Sequence, residues 1–332
     1  MESRSLVPHQ SSSFKLPIAN LRNVFRTDDV ERKLAKLPGR DHESLRTTYE
    51  RMLERGPGRF HVKPSGVPDM AALYEQLPNF TGALDDVKRH VALAQDCRDG
   101  LEVTPMLLLG PPGIGKTHFA RRLADLLGTG MSLVPMSSMT AGWLLSGASS
   151  QWKGSKPGKV FEALVDGQYA NPVIVVDEID KASADAQYDP LGALYNLLEH
   201  DTAAVFMDEF AEVAIDASQV IWIVTANDDR SIPEPILNRM NVFEIEAPSP
   251  AEARRIARHL YIAIRAEHGW GGRFEAEPSD DLLDHLTELA PRDMRRALMT
   301  GFGNARLQDR AEIAPEDLPR PGATKGRLGF LQ

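Results

Sequence analysis

Cysteine is the scarcest resource of this sequence. Cys97 is the single one among 332 residues, which excludes an intrachain disulfide and a cysteine-built zinc site. Long apolar runs are missing too, and none approaches the roughly 18 residues a membrane span needs. The start, MESRSLVPHQSSSFKLP, has no apolar segment of the kind a secretory leader carries. A cytoplasmic location without membrane contact is therefore expected. No internal repeat or long low-complexity tract is present. What is there is ordinary for a globular chain, with 42% hydrophobic and 26% charged residues, and its length suggests about two domains. Collagen-like and largely disordered proteins are excluded. Charge is unevenly spread. Residues 1–40 carry eight Lys/Arg against four Asp/Glu, a net of +4, so an overall charge of −9 leaves −13 on the rest. The positive end reads as a solvated terminus. The acidic remainder speaks against a broad nucleic-acid contact surface.

Composition shifts divide the chain into four parts. Residues 1–72 read as an N-terminal helical and loop region, with HESLRTTYERMLER as its convincing helix. Residues 73–248 alternate short apolar runs with amphipathic helices. The runs are MLLL (106–109), VIVV (173–176), VIWIV (220–224) and VFEI (242–245), and such runs bounded by turns argue for buried parallel strands in an α/β layer. The helix over GALDDVKRHVALAQDCRDG carries Leu84, Val87, Val91, Leu93 and Ala94 as its apolar stripe. Residues 249–315 read as a small all-α domain of three helices, at about 250–268, 280–289 and 293–308. Ser249-Pro250-Ala251-Glu252 supplies a capping-box start for the first of them. Residues 316–332 read as a loose tail.

The strongest local signal is Gly110-Pro111-Pro112-Gly113-Ile114-Gly115-Lys116-Thr117, which matches the phosphate-binding pattern G-x-x-x-x-G-K-[ST]. MLLL precedes it as a strand. THFARRLADLLG follows as a helix, with Phe119, Leu123, Leu126 and Leu127 on one face and Gly128 as its stop. The glycines let backbone N–H groups curl around phosphate oxygens at a helix N-terminus. Lys116 is placed to reach the β and γ phosphates of ATP, and Thr117 to hold Mg²⁺. A second site is expected on a neighbouring strand, and Val173-Ile-Val-Val-Asp177-Glu178 supplies it. A carboxylate at the end of a buried apolar strand is costly without a cation to serve. Asp177 is the expected partner of Mg²⁺, and Glu178 the group that polarises the attacking water.

These motifs resemble the AAA+ module, within it the Lon protease type. GPPGIGKT, NPVIVVDEIDK (171–181), VTAND (224–228) and IPEPILNRM (232–240) carry the likeness, in the family's order, and it extends over roughly 80–310. The resemblance implies a P-loop NTPase αβα sandwich with a parallel sheet, followed by the small all-α AAA+ lid. It implies that Asn227 is sensor 1, orienting the lytic water with Glu178, and that Arg239 is the arginine finger acting on the next subunit's nucleotide. Asn238 stands where Lon usually has Asp. Arg292 falls at the lid's sensor-2 position, with Arg295 and Arg296 as competitors and plain surface charge as the alternative. Asp180 and Lys181 are expected to set intersubunit packing. Ser150–Gly158 matches the aromatic pore loop, so that Trp152 would grip an extended polypeptide; a tryptophan folded over a local apolar patch is the other reading. AVFMDEFAEV (204–213) is either a lower pore loop, with Phe206 and Phe210 as its aromatics, or a hairpin edge.

The expected function is that of an ATP-hydrolysing, Mg²⁺-dependent ring, a homo-oligomer and by resemblance a hexamer, that threads and remodels a protein substrate. Nothing after residue 310 has room for Lon's Ser-Lys protease domain, so a peptidase by itself is not expected. The alternative is a nucleic-acid-acting AAA+ loader or motor, which would use basic loop residues such as Lys153 and Lys156.

Overall fold

The computed structural model describes residues 18–37, 42–97, 100–138, 143–152, 154–182 and 189–319. The chain opens with β1 (Ile18–Asn23), α1 (Thr27–Lys36), α2 (Glu43–Arg55) and β2 (Gly58–Lys63). Helices α3 (Ala71–Gln76) and α4 (Thr81–Leu93) lead to β3 (Met106–Leu109), α5 (Lys116–Leu127) and β4 (Met131–Pro135). Short helices α6 (Trp143–Ser146) and α7 (Lys159–Phe161) precede β5 (Val173–Asp177). Then come α8 (Leu194–Leu197), α9 (His200–Ala203), the pair β6 (Phe206–Met207) and β7 (Ala214–Ile215), β8 (Ile221–Ala226), α10 (Glu234–Leu237) and β9 (Asn241–Glu244). Three helices end the series: α11 (Pro250–Glu267), α12 (Asp280–Leu286) and α13 (Pro291–Leu307). The described residues form two compact units, one within 18–70, 82–109 and 117–244, the other within 71–81, 110–116 and 245–319.

The first unit is built on a five-stranded sheet of order β4-β5-β8-β3-β9, every pairing parallel. Val173–Val176 and all six residues of β8 are buried. Continuous apolar runs, not alternating ones, therefore form the central strands, because helices cover both faces of a parallel sheet. The edges differ: β9 is mostly exposed, and in β4 only Val134 is buried. MSLVP lacks the uninterrupted apolar run that marks the central strands, so its pattern gives little sign of β4. In α4, Leu84, Val87 and Val91 are buried as expected, but Leu93 at the helix end is 79% exposed. Gly128 closes α5 with φ +72°, the left-handed conformation that a helix stop of this type requires.

The N-terminal residues differ from the separate region expected over 1–72. β1 and β2 pair antiparallel, and Val24, Phe25, Val30, Leu45, Tyr49 and Met52 share one apolar core with Trp222 and the sheet. The cause is local: Leu45, Tyr49 and Met52 recur at helical spacing on α2 and present a stripe that must be covered. Polar ties follow. Tyr49 Oη donates to Ala211 O at 2.7 Å, Lys33 pairs with Glu212 at 2.9 Å and Arg22 with Asp216 at 2.9 Å. The buried Arg59 guanidinium donates to Leu164 O at 2.9 Å and to Val165 O.

The second unit has its own core, in which Ile256, Tyr261, Leu282, Leu286, Met294, Leu298 and Phe302 meet. Ser249 and Glu252 form the capping box of α11 reciprocally. The 316–332 stretch begins inside this unit: Leu318 packs on its core, and Asp317, 1% exposed, takes Arg310 and the Ala314 N–H. Residues 320–332 lie outside the described residues.

Met52 is fully buried in the core shared with the sheet. Met52→Ala should therefore lower the stability of the first unit by about 2–5 kcal/mol, read by chemical denaturation at the Trp222 signal. An unmoved Trp222 transition would show the N-terminal helices to be an independent appendage.

Candidate active site

The sheet order places the C-terminal ends of β5, β8 and β3 side by side, with Val176 opposite Val224 and Ala226 opposite Leu109. This is the edge at which open parallel sheets present their chemistry. Two sets of residues follow from these ends, one in each unit.

In the second unit, the loop Gly110–Lys116 has the geometry of an anion cradle. A Cβ on Gly110 would lie 2.1 Å from Ile245 O, so no side chain fits there. Gly113 and Gly115 hold φ of +83° and +106°, conformations that favour glycine. Ile114 is buried beneath the loop, while Pro111 and Pro112 are exposed. Lys116 Nζ donates to Gly110 O at 2.5 Å and Pro111 O at 3.0 Å, folding the ammonium inward over the loop's own carbonyls. Arg292, at the start of α13, donates its backbone N–H to Gly113 O at 3.2 Å, and a Gly113 Cβ would sit 3.6 Å from its Cβ. The other two arginines are engaged elsewhere: Arg295 pairs with Glu267 at 2.6 Å and Arg296 with Asp293 at 2.9 Å.

In the first unit, Asp177 gathers the hydroxyls. Its Oδ1 accepts from Thr117 Oγ1 at 3.1 Å and from Thr225 Oγ1 at 2.6 Å. Thr225 Oγ1 in turn accepts the Glu178 N–H at 2.9 Å. Glu178 holds φ +56°, ψ +50°, a left-handed conformation worth about 1–3 kcal/mol of strain for a non-glycine. The Thr225 hydroxyl thus pins both the carboxylate and the turn that aims Glu178. Thr225 is fully buried and was not singled out from the sequence; its signal is a hydroxyl near the end of the otherwise apolar IWIVTA strand. Asn227 follows β8 and donates its N–H to Asp180 Oδ1 at 3.2 Å. Asp180 is paired with Lys181 at 2.7 Å, so within one chain these two hold the Asn227 backbone. Hard oxygen donors on Thr117 and Asp177 suit Mg²⁺, and the glycine cradle with Lys116 suits a polyphosphate.

Three expectations lie away from these ends. Arg239, just after α10, pairs with Glu199 at 2.9 Å and donates to Pro235 O. Trp152 is 47% exposed and meets Trp143 edge-on, with ring centroids 5.3 Å apart. Its loop is closed by Ala148 N–H to Lys156 O at 3.1 Å, and Trp152 itself is held by the Ser149 carbonyl at 3.0 Å. A cleft of about 590 Å³ beside it is lined by Trp143, Asn196, Met207 and Glu209 among others. Lys153 lies outside the described residues. Phe206 and Phe210 are core residues at 6% and 1% exposure, which corrects their reading as pore aromatics. Burial of the β6–β7 pair against the sheet core takes both rings, and Val205 and Met207 are the exposed ones.

Thr225→Val removes the hydroxyl that orients Asp177 and Glu178 while keeping the shape. The expected result is a loss of roughly 10- to 100-fold in ATP turnover with nucleotide affinity changed much less, measured by steady-state kinetics and calorimetry.

Residues 106–248 match the family described as the ATPase family associated with various cellular activities (AAA). The chain is 29% identical over 287 residues to the Lon protease of Helicobacter pylori (strain J99 / ATCC 700824), covering 81% of this chain and 34% of that protein. It is 37% identical over 179 residues to Lon protease 2 of Hydrogenovibrio crunogenus, covering 53% and 20%. The chain therefore spans about a third or less of these relatives' length. Among solved structures, Hsp104 of S. cerevisiae in complex with casein superposes with TM-score 0.55 at 18% identity, over 73% of this chain and 48% of that one. A point mutant of Thermotoga maritima RuvB gives TM-score 0.50 at 14% identity, over 77% and 70%. These two likenesses show the fold, a parallel-sheet αβα layer followed by helices. With the glycine cradle and the Asp177–Glu178 strand end in place, residues 106–248 match the AAA ATPase family, and this module resembles that of Lon proteases.

Proposed function

We propose that the protein is an ATP-hydrolysing, ring-forming machine that remodels a protein substrate by gripping its extended chain. The observation that carries the substrate class is Trp152: a half-exposed indole on a short closed loop, beside a cleft that a second tryptophan lines. A planar ring buries about 150–250 Å² against whatever it meets, which gives traction on a polypeptide without sequence specificity. Hsp104, which shares the fold, has been captured with casein.

In this reading ATP is held by the Gly110–Gly115 backbone and Lys116, and Mg²⁺, which neutralises phosphate charge, by Thr117 and Asp177. Glu178 takes the proton of the attacking water as the bond to the γ-phosphorus forms and the bond to the ADP oxygen breaks. Asn227 orients that water, and Arg292 answers the phosphate charge from the start of α13. Arg239 acts in a neighbouring copy of the chain, for which it must leave Glu199. A homo-oligomeric ring, a hexamer by resemblance, and a cytoplasmic setting complete the proposal.

Glu178→Gln should keep ATP binding and lose hydrolysis by orders of magnitude, since only the proton-accepting carboxylate goes; calorimetry beside a phosphate-release assay reads both. Lys116→Ala should instead abolish binding. The substrate class is tested with Trp152→Ala and a permanently unfolded polypeptide. That polypeptide should stimulate the wild-type ATPase and fail to stimulate the variant. Stimulation by single-stranded DNA instead, fading steeply with salt and dependent on Lys153 and Lys156, would replace protein remodelling with nucleic-acid translocation.

A further inference from the structure

Asp208 is fully buried, yet nothing in the ATP chemistry uses it. Its two oxygens do separate jobs. Oδ1 accepts the N–H groups of Phe210 and Ala211, each at 3.0 Å, and so closes its own turn. Oδ2 reaches across to the Gly158 N–H at 2.8 Å. Gly158 is one end of the loop that carries Trp152, and Gly147 is the other. A Cβ on Gly147 would lie 2.7 Å from Asp208 Oδ2 and 2.9 Å from Gly158 N, and Gly147 holds φ +80°. A Cβ on Gly158 would lie 2.2 Å from Leu145 O. Both loop ends are thus pressed together against one carboxylate, at a spacing only glycine allows. Ser146 and Glu209 reinforce the contact: Glu209 N–H donates to Ser146 O at 2.6 Å, and Ser146 Oγ to Glu209 Oε1 at 3.0 Å. From each of the two anchors the chain continues into one of two adjacent parallel strands. Gly158 leads through α7 to β5 and Asp177, and the Asp208 turn leads through β7 to β8 and Thr225.

We propose that Asp208 is a positioning residue: its buried carboxylate latches the neck of the 147–158 loop, so that Trp152 stands at a fixed place relative to β5 and β8. This inference rests on the reading that Trp152 grips a polypeptide. An isolated carboxylate is costly to bury, and its retention is explained by what a neutral side chain cannot do. Asparagine would keep Oδ1 for the turn but turn an N–H₂ toward the Gly158 N–H, breaking only the bond that crosses to the loop. A proton on Oδ2, the oxygen with a single N–H partner, would act on the same bond, since a carboxylic O–H is a poorer acceptor. Burial pushes the Asp208 carboxyl up to about 6, the Glu209 charge adds to the rise, and the three N–H bonds oppose it. The folded-state value lies above the unfolded one, so ionised Asp208 costs native stability above pH 6, and that cost is relieved as pH falls through 6. At this one group, acidification therefore favours the folded state while it releases the loop.

The test reads the Trp143–Trp152 couple directly. Near-ultraviolet circular dichroism of the protein minus that of its Trp152→Phe variant isolates the contribution of Trp152. In wild type this difference should be intact at pH 7.5 and fall by at least half on acidification, with a midpoint near pH 6. In Asp208→Asn it should be reduced by at least half at pH 7.5 and no longer vary between pH 7.5 and 5. The concentration of reduced, carboxymethylated lactalbumin that half-stimulates the ATPase should rise at least fivefold in Asp208→Asn. A wild-type difference signal together with wild-type half-stimulation in Asp208→Asn would overturn the proposal. Should Asp208→Asn not fold, the wild-type acid titration decides alone, and a signal flat from pH 7.5 to 5 overturns it. If the signal behaves as expected while lactalbumin stimulates neither protein, the latch stands and the gripping function falls.

Discussion

The Asp177 carboxylate, at the end of an otherwise apolar strand, is the constraint on which this edge of the sheet depends. Left alone there it would be costly. Two hydroxyls meet it instead, Thr117 from the first turn of α5 and Thr225 from the adjacent strand. That requirement explains why β8 must lie next to β5, why its penultimate residue is a buried threonine in an apolar run, and why the turn after Asp177 is anchored through the Glu178 N–H. The strained backbone at Glu178 persists because this hydroxyl bond and the following turn over-determine it. A cation coordinated by Thr117 and Asp177 would enter a site already organised around hydroxyl donors.

The same unit shows how a loop can be exposed and still be held. The Trp152 loop carries a half-exposed indole, yet its neck is fixed by glycine close approach and a buried carboxylate. The β6–β7 pair that supplies this carboxylate is in turn fastened to the N-terminal residues, through Tyr49 to Ala211, Lys33 to Glu212 and Val24 to Asp216. The N-terminal helices therefore brace the element that braces the loop.

The central strands were legible because burial on both faces writes itself as uninterrupted apolar runs: β3, β5 and β8 lie within a residue or two of the runs read from the sequence, and the run VFEI lies within one residue of the exposed edge strand β9. Helix α11 was legible through the Ser249–Glu252 capping box, and α13 lies within two residues of the range read from the sequence. The glycine loop was legible because three of its positions favour glycine, Gly110 by close approach and Gly113 and Gly115 by positive φ. The edge strand β4 and the strand β1 were not, since β4 buries one side chain and β1 none. The role of α2 was hidden for another reason: its stripe is plain, but a stripe does not say which core it joins. Phe206 and Phe210 were misleading because two aromatics in a polar stretch read equally as loop tips and as hairpin core. Thr225 and Asp208 escaped notice because a single polar residue gains its meaning only from the groups that converge on it in three dimensions.

The most direct test of ATP-driven remodelling follows the substrate and not the nucleotide. A stably folded protein bearing an unfolded tail would be incubated with this protein and Mg²⁺-ATP, and the hydrogen exchange of its core amides followed by mass spectrometry. The account predicts that core exchange accelerates at least tenfold with ATP and is unchanged with a non-hydrolysable analogue. Core exchange that stays at its spontaneous rate while ATP is consumed would contradict it.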